Sequence, residues 1–327
     1  MKAVVIARKG GVEALEVRDV PAPEPLGGEL RIRVRAAGIN RADVMQAQGH
    51  YPAPPGAPAD IPGLEYAGEV ADRGPGCIGP LKEGDRVFGI VAGGGLAEFV
   101  TVHERMAVPI PDRLDFDEAA CIPEAFLTAH DALTTQGNLQ PGERVLIQAA
   151  AGGVGSAAVQ IAHAMGCQVF GTSRTADKLA VLREYGLGVA IDTSKEDFAA
   201  VVRDRTRGEG VHVVIDHIGA AILAGNLDAL ANRGRLVLVG LLGGPKGDVN
   251  LYTLLRKRLT IVGTTLRARP IEEKIAATRL FAECVVPWLA EGRIRPILDG
   301  AYPLDRIREA EERLTGDLSL GKIVVRP

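Results

Sequence analysis

The chain has 327 residues, enough for two domains that each bury a substantial core, and carries a formal net charge of −3 with 46% hydrophobic residues. A charge this balanced, with no basic block, gives nucleic-acid or membrane-surface binding no electrostatic footprint. Four dispersed cysteines, Cys77, Cys121, Cys167 and Cys284, form neither a C-x-x-C pair nor a disulfide framework, so a reducing interior is the expected setting.

In chain order, MKAVVIARKG alternates like a strand and has no signal-peptide cleavage site. No segment is long and apolar enough to span a bilayer, and a cytoplasmic protein is expected. Up to about residue 120, short β-like runs (ELRIRVRAAGI, YAGEVADRG, GDRVFGIV, LAEFVTV) are separated by turn clusters such as Tyr51 to Gly63, which predicts a small, irregular β domain. From about Pro123 helix and strand alternate. The predicted strands are Val145–Gln148, Gln168–Thr172, Val189–Asp192, Val211–Ile215, Arg235–Val239 and Thr260–Thr264. Joined by crossovers, they predict an α/β fold, a doubly wound parallel Rossmann sheet in the order 3-2-1-4-5-6, with its ligand crevice beyond the carboxyl ends of the strands.

After about residue 267 come an apolar-periodic helix to about Ala290, a short strand near Ala301, a charged helix from Leu304 to Leu314 and a closing strand in GKIVVRP. These are too few elements for a third domain. They are expected to return and complete the first one, giving a catalytic domain at 1–122, a nucleotide domain at 123–266 and a return at 267–327.

The chemistry concentrates in residues 145–178. Val145 to Gln148 reads as a buried strand, and Ala151, Gly152, Gly153, Val154 and Gly155 follow as a turn that lets backbone approach a pyrophosphate. Val154 then opens a helix with apolar residues at Ala158, Ile161, Ala162 and Met165, whose unpaired N-terminal amides would face the anion. The motif is not a full G-x-G-x-x-G, because Ala150 stands at the first glycine; its place in one βαβ unit strengthens it. At the end of the second strand, where an NAD enzyme would carry Asp or Glu for the adenosine ribose, stand Ser173 and Arg174, with Lys178 a turn later. A carboxylate there would repel a 2′-phosphate and a guanidinium would clamp one, so NADPH is the expected cofactor. The same sheet geometry places His217, Ile218 and Gly219, and Gly240, Leu241 and Leu242, in loops lining the crevice.

Several segments together resemble the medium-chain dehydrogenase/reductase superfamily, and within it the zinc-free quinone oxidoreductases related to zeta-crystallin. They are AAGINRADVMQAQGHYPAPPG near 36–56, GLEYAGEV with GDRV at 63–87, AAAGGVG at 149–155, VIDHIG at 214–219 and GKIVV at 321–325. The NRADVMQAQGHYP run, PGLEYAG and IPEAFLTA at 122–129 look closest to the tumour-suppressor-inducible branch. The resemblance implies a GroES-like catalytic domain around the Rossmann domain, NADPH dependence, and a homodimer paired through Leu259–Thr265. It also implies that Thr128 lies beside the nicotinamide, and that Leu266-Arg267 and Gly321-Lys322 contact the cofactor. Thr193 departs from the tyrosine that many relatives place against the adenosine.

Zinc-dependent relatives carry a cysteine in the early loop and a Gly-His-Glu; those positions hold Ile39, Asn40 and Gly63-Leu64-Glu65 here, and Leu64 cannot ligate a metal. The six histidines show no ligand spacing, so no metal is expected. Without a Lewis acid, the accessible chemistry is reduction of an acceptor that stabilises negative charge unaided, such as a quinone or a conjugated carbonyl. By resemblance, Asn40 meets the nicotinamide end of the site and Tyr51 is the substrate-side tyrosine, whose phenol can donate a proton to the reduced oxygen. Each also has a plainer reading: Asn40 as a turn cap, and Tyr51 packed on Pro52, Pro54 and Pro55. The expected activity is quinone reduction. Reduction of α,β-unsaturated aldehydes or ketones, and a low-activity, crystallin-like NADPH-binding protein, stand as alternatives.

Overall fold

The computed structural model describes residues 1–327 as two compact units, Met1–Leu127 with Leu266–Pro327, and Thr128–Thr265. The first boundary falls after Leu127 rather than after residue 122, inside one helix, Pro123–His130.

The first unit is β-rich. Strands β1 (Lys2–Ile6) and β2 (Leu15–Asp19) pair antiparallel as a separate ribbon. Then come β3 (Glu29–Gly38), helix α1 (Arg41–Ala47), β4 (Glu65–Arg73), β5 (Arg86–Ile90), β6 (Phe99–His103), β7 (Val108–Pro109), α2 (Phe116–Ala120) and α3 (Pro123–His130). The period of two is visible in β3, where Leu30, Ile32 and Val34 are buried while Arg33 and Arg35 are exposed.

The second unit holds β8 (Arg144–Ile147), α4 (Gly153–Ala164), β9 (Gln168–Ser173), α5 (Ala176–Arg183), β10 (Val189–Asp192), α6 (Phe198–Arg205), β11 (Val211–Asp216), α7 (Leu223–Ala229), β12 (Leu230–Leu238), α8 (Leu251–Lys257) and β13 (Thr260–Gly263). Its six strands are all parallel in the order β10-β9-β8-β11-β12-β13, the expected 3-2-1-4-5-6. Continuous apolar runs make this sheet: Val145, Leu146 and Ile147 are wholly buried, and Leu146, Phe170, Ile191, Val214 and Leu236 share one core cluster. Helix α4 is buried at every residue from Gly155 to Ala162, the polar Ser156 and Gln160 included, so it is covered on all sides and not only along the apolar stripe expected of it.

The chain then returns to the first unit as α9 (Ile271–Cys284), α10 (Val286–Glu291), β14 (Leu298–Pro303), α11 (Ile307–Thr315) and β15 (Lys322–Arg326). Strand β15 pairs antiparallel with β3, Val324 opposite Gly38, and parallel with β14, so a seven-stranded sheet joins residues from both ends of the sequence. One long helix to Ala290 was expected. The observed break at Val285 has a cause two residues on, because Pro287 lacks the N–H that would continue the ladder.

Candidate active site

In the second unit the glycine turn is made by main-chain shape. Ala149 takes a left-handed conformation (φ +50°) and Gly152 stands before the first turn of α4, which no side chain caps and no acidic residue neutralises. The glycines have different jobs. A Cβ on Gly155 would lie 2.5 Å from the Ala149 carbonyl oxygen and 2.7 Å from the Ala150 Cα, so this glycine allows the helix to meet the strand. A Cβ on Gly152 would meet nothing nearer than 3.6 Å, so this glycine leaves space in front of the helix. Gly152 is exposed, Gly153 and Val154 are half-buried, and Ala151 and Gly155 are buried.

The neighbouring loops lie along the same carboxyl edge of the sheet. After β9, the Ser173 hydroxyl accepts from the Thr175 N–H at 3.1 Å; Arg174 is exposed and Lys178 half-buried. The Thr193 N–H donates to the Ser173 carbonyl at 3.0 Å, tying in the loop after β10. After β11, Ile218 and Gly219 donate their N–H groups to Asp216, and His217 accepts from the Leu242 N–H at 3.2 Å. A Cβ on Gly240 would sit 2.9 Å from the His217 carbonyl oxygen, so the loops after β11 and β12 touch only because this residue is glycine; Leu241 beside it is exposed.

Three side chains in this unit carry buried polar atoms without a protein partner: Thr128 Oγ1, His217 Nε2 and, at the start of β8, Arg144 Nε. Burial pulls the His217 imidazole down to about 4, so it is neutral near pH 7. Unmet buried polar atoms are rare in folded proteins and call for an explanation. Thr128 and His217 are residues expected beside the cofactor; Arg144, at the opposite end of its strand, is not. With an uncapped helix start and an open Gly152, these groups fit a nicotinamide dinucleotide: main-chain amides for the pyrophosphate, and hydroxyl and imidazole groups for its polar edges.

In the first unit, the sequence-predicted Asn40 is the residue before α1. Its N–H donates to Asp43 Oδ2 at 2.8 Å, its Nδ2 to Glu65 Oε1 at 2.9 Å, and its Oδ1 accepts from Lys322 Nζ at 2.7 Å. Asn40 is therefore a turn cap and is also clamped by side chains from distant strands. Lys322 is buried and has three acceptors inside the unit: the Ile39 carbonyl, Asn40 Oδ1 and, at 2.5 Å, Glu65 Oε1. That arrangement makes its side chain a strut for Asn40.

Tyr51 lies beneath a guanidinium. The Arg267 Cζ sits 5.1 Å from the centre of the Tyr51 ring, and Arg267 also donates to the carbonyls of Tyr51 and Ala92 and to Gln46 Oε1. Leu266 and Arg267 are both buried. From sequence, Tyr51 is expected as the substrate-side tyrosine or, more plainly, packed on its neighbouring prolines; neither reading includes this brace from Arg267.

Comparison with known proteins agrees with this architecture. Residues 27–112 match the alcohol dehydrogenase GroES-like domain family, and residues 153–283 match the zinc-binding dehydrogenase family. The quinone oxidoreductase of Pseudomonas aeruginosa is 35% identical over 333 residues, covering 100% of this chain and 99% of the relative. The chain belongs to the quinone oxidoreductase-like family of the medium-chain dehydrogenase/reductase superfamily.

Two crystal structures are similar over 100% of both chains: Escherichia coli quinone oxidoreductase complexed with NADPH (TM-score 0.89, 29% identity) and an NAD-dependent alcohol dehydrogenase (TM-score 0.89, 32% identity). This family member does not carry the donor set of a zinc site, although one matched family is described as zinc-binding. No three His, Cys, Asp or Glu side chains are grouped to hold a metal, and Leu64 stands where zinc relatives have histidine. Beside it, Glu65 is wholly buried and is paired with an ammonium.

Proposed function

We propose that this oxidoreductase uses NADPH to reduce quinones; reduction of conjugated carbonyls by the same hydride geometry is the alternative. One observation carries the cofactor reading: β9 ends at Ser173, Arg174 follows at once and Lys178 comes a turn later, and no carboxylate stands at the strand end to meet a ribose or repel a 2′-phosphate. The E. coli relative complexed with NADPH supports it.

When bound, the nicotinamide supplies the hydride. The remaining work falls to the chain. Amides of Gly153, Val154 and Gly155 receive the pyrophosphate, and Arg174 and Lys178 receive the 2′-phosphate. Thr128 and the neutral His217 hydrogen-bond the cofactor's polar edges. Asn40, with its amide orientation fixed by Glu65 and Lys322, holds the nicotinamide end. The Tyr51 hydroxyl delivers a proton to the reduced oxygen of the acceptor.

The test is a pair of titrations with NADPH and NADH, followed by a panel of ortho-quinones, para-quinones and short enals. NADPH is expected to bind at least about tenfold more tightly, a difference lost in Arg174→Ala. Equal binding of the two cofactors would defeat the cofactor reading. Turnover with enals and none with any quinone would defeat the acceptor reading. If Tyr51→Phe turns over at the wild-type rate, the phenol is not the proton donor.

The protein is also proposed to form a homodimer through Leu259–Thr265. Strand β13 is the outer strand of its sheet and leaves Ile261 and Val262 half-exposed, an edge of the kind that pairs with a second copy. Light scattering after size exclusion tests this, and a monomeric mass at micromolar concentration would exclude it.

A further inference from the structure

Beneath the carboxyl edge of the nucleotide-unit sheet runs a chain of buried polar side chains that no sequence motif marks. Gln148, Thr172, Asn226 and Asp216 are all at most 2% exposed. The Ala149 N–H donates to Thr172 Oγ1 at 3.1 Å, and the Thr172 hydroxyl donates to Gln148 Oε1 at 2.7 Å. Gln148 Nε2 donates to Asn226 Oδ1 at 2.7 Å, and Asn226 Nδ2 donates to Asp216 Oδ2 at 2.9 Å. From the other side, the N–H groups of Ile218 and Gly219 donate to Asp216 at 2.7 and 3.0 Å.

Every donor therefore points toward one carboxylate. The direction is set at the Asp216 end: a carboxylate only accepts, so Asn226 must turn its amide nitrogen to Asp216 and its oxygen to Gln148. Gln148 must then give its amide nitrogen to Asn226 and present its oxygen to Thr172, whose hydroxyl donates to it. A chain polarised in one sense, among buried side chains, strengthens each bond in it.

The two ends are main chain of two different loops. One is Ala149, whose left-handed conformation opens the glycine turn. The other is Ile218-Gly219, where Gly219 is also left-handed (φ +84°) and the adjacent His217 carries the orphaned Nε2. An apolar core would fill the same space at less desolvation cost, so a complete polar chain between these loops points to positioning.

We propose that Thr172, Gln148, Asn226 and Asp216 are positioning residues that lock the glycine turn and the His217–Gly219 loop into one pre-formed cofactor surface. This rests on the NADPH reading above. Neither loop then has to be ordered when the dinucleotide binds, and affinity depends on the chain being unbroken.

The experiment combines amide hydrogen exchange on the ligand-free protein with NADPH titration. Thr172→Val cuts the chain at the glycine-turn end. It is expected to raise exchange at Ile218 and Gly219, at the opposite end, and to weaken NADPH about tenfold. Asp216→Asn removes the terminal acceptor and is expected to act the same way. The swapped pair Asp216→Asn with Asn226→Asp rebuilds a complete donor and acceptor set, and should restore affinity to within about threefold of wild type.

Unchanged exchange at Ile218 and Gly219 in Thr172→Val overturns the coupling, as does a uniform rise across the whole sheet, the signature of a merely stabilising role. A folded swap variant that stays as weak as Asp216→Asn also overturns it. If wild-type protein fails to bind NADPH, the cofactor reading falls, while the exchange measurement on the free protein still decides whether the two loops are coupled.

Discussion

The two units hold their candidate site residues by different means. In the β-rich unit the means is charge: Asn40 is fixed by a single ammonium, Lys322, and by the buried carboxylate Glu65, with the buried acids Asp43 and Glu311 nearby. In the nucleotide unit it is backbone shape and neutral hydrogen bonds, with glycines setting close approaches and one carboxylate fully met by its donors. The first arrangement has more buried acid than base and should respond to pH and charge. The second should respond to added atoms.

Removing the one cation tests the first half most severely. Lys322→Met leaves Glu65 buried without a counter-charge and is expected to cost about 3–5 kcal/mol in chemical denaturation. Adding Glu65→Gln should recover much of that loss, because the uncompensated charge is gone. If the single change proves neutral, the knot is not held by charge.

The matching test of the second half is Gly155→Ala. Its Cβ would press on main-chain atoms of Ala149 and Ala150, which cannot move aside as a side chain would. A loss of about 1–3 kcal/mol is expected, with no dependence on salt.

How much of this was legible in the sequence follows the same division. The sheet order could be read because buried parallel strands are continuous apolar runs such as Val145–Ile147, and right-handed crossovers restrict how they can be laid down. Strand β12 was drawn too short: it begins at Leu230, and its first residues, with Asn232 and Arg233 exposed, carry no strand signal. The glycine turn was legible because its residues are consecutive. The polar chain was not, since Gln148 lies 24 residues from Thr172 and 78 from Asn226, and only folding brings them together. The pairing of Lys322 with Glu65 was hidden for the same reason, as the two are 257 residues apart.

A milder prediction concerns pH. Burial raises Asp43 from 3.8 to about 6 and pushes Glu311, whose carboxyl oxygens have no partner, well above the ordinary value. The folded chain therefore holds these protons more tightly than the unfolded chain. Their contribution to stability is full below the unfolded values near 4 and is lost as pH rises through the folded ones. Thermal midpoints should fall between about pH 5 and pH 8, and Glu311→Gln should flatten that fall and raise the midpoint at about pH 8 by roughly 2–4 °C. An unaltered pH profile would mean Glu311 is not a source of the strain.

The smallest effect on stability is expected at Gly152, and it separates folding from binding most cleanly. Its φ of −75° is open to any residue and a Cβ there meets nothing nearer than 3.6 Å, so Gly152→Ala should unfold within about 0.5 kcal/mol of wild type. The added methyl nevertheless occupies the space before the uncapped start of α4. If main-chain amides at that point receive a pyrophosphate, NADPH affinity should drop about tenfold while the thermal midpoint stays put. Retained affinity would show that the open face of this glycine is not where the phosphates lie. A loss of stability would show that Gly152, like Gly155, is needed for the fold, and that backbone shape in this unit serves packing before it serves the ligand.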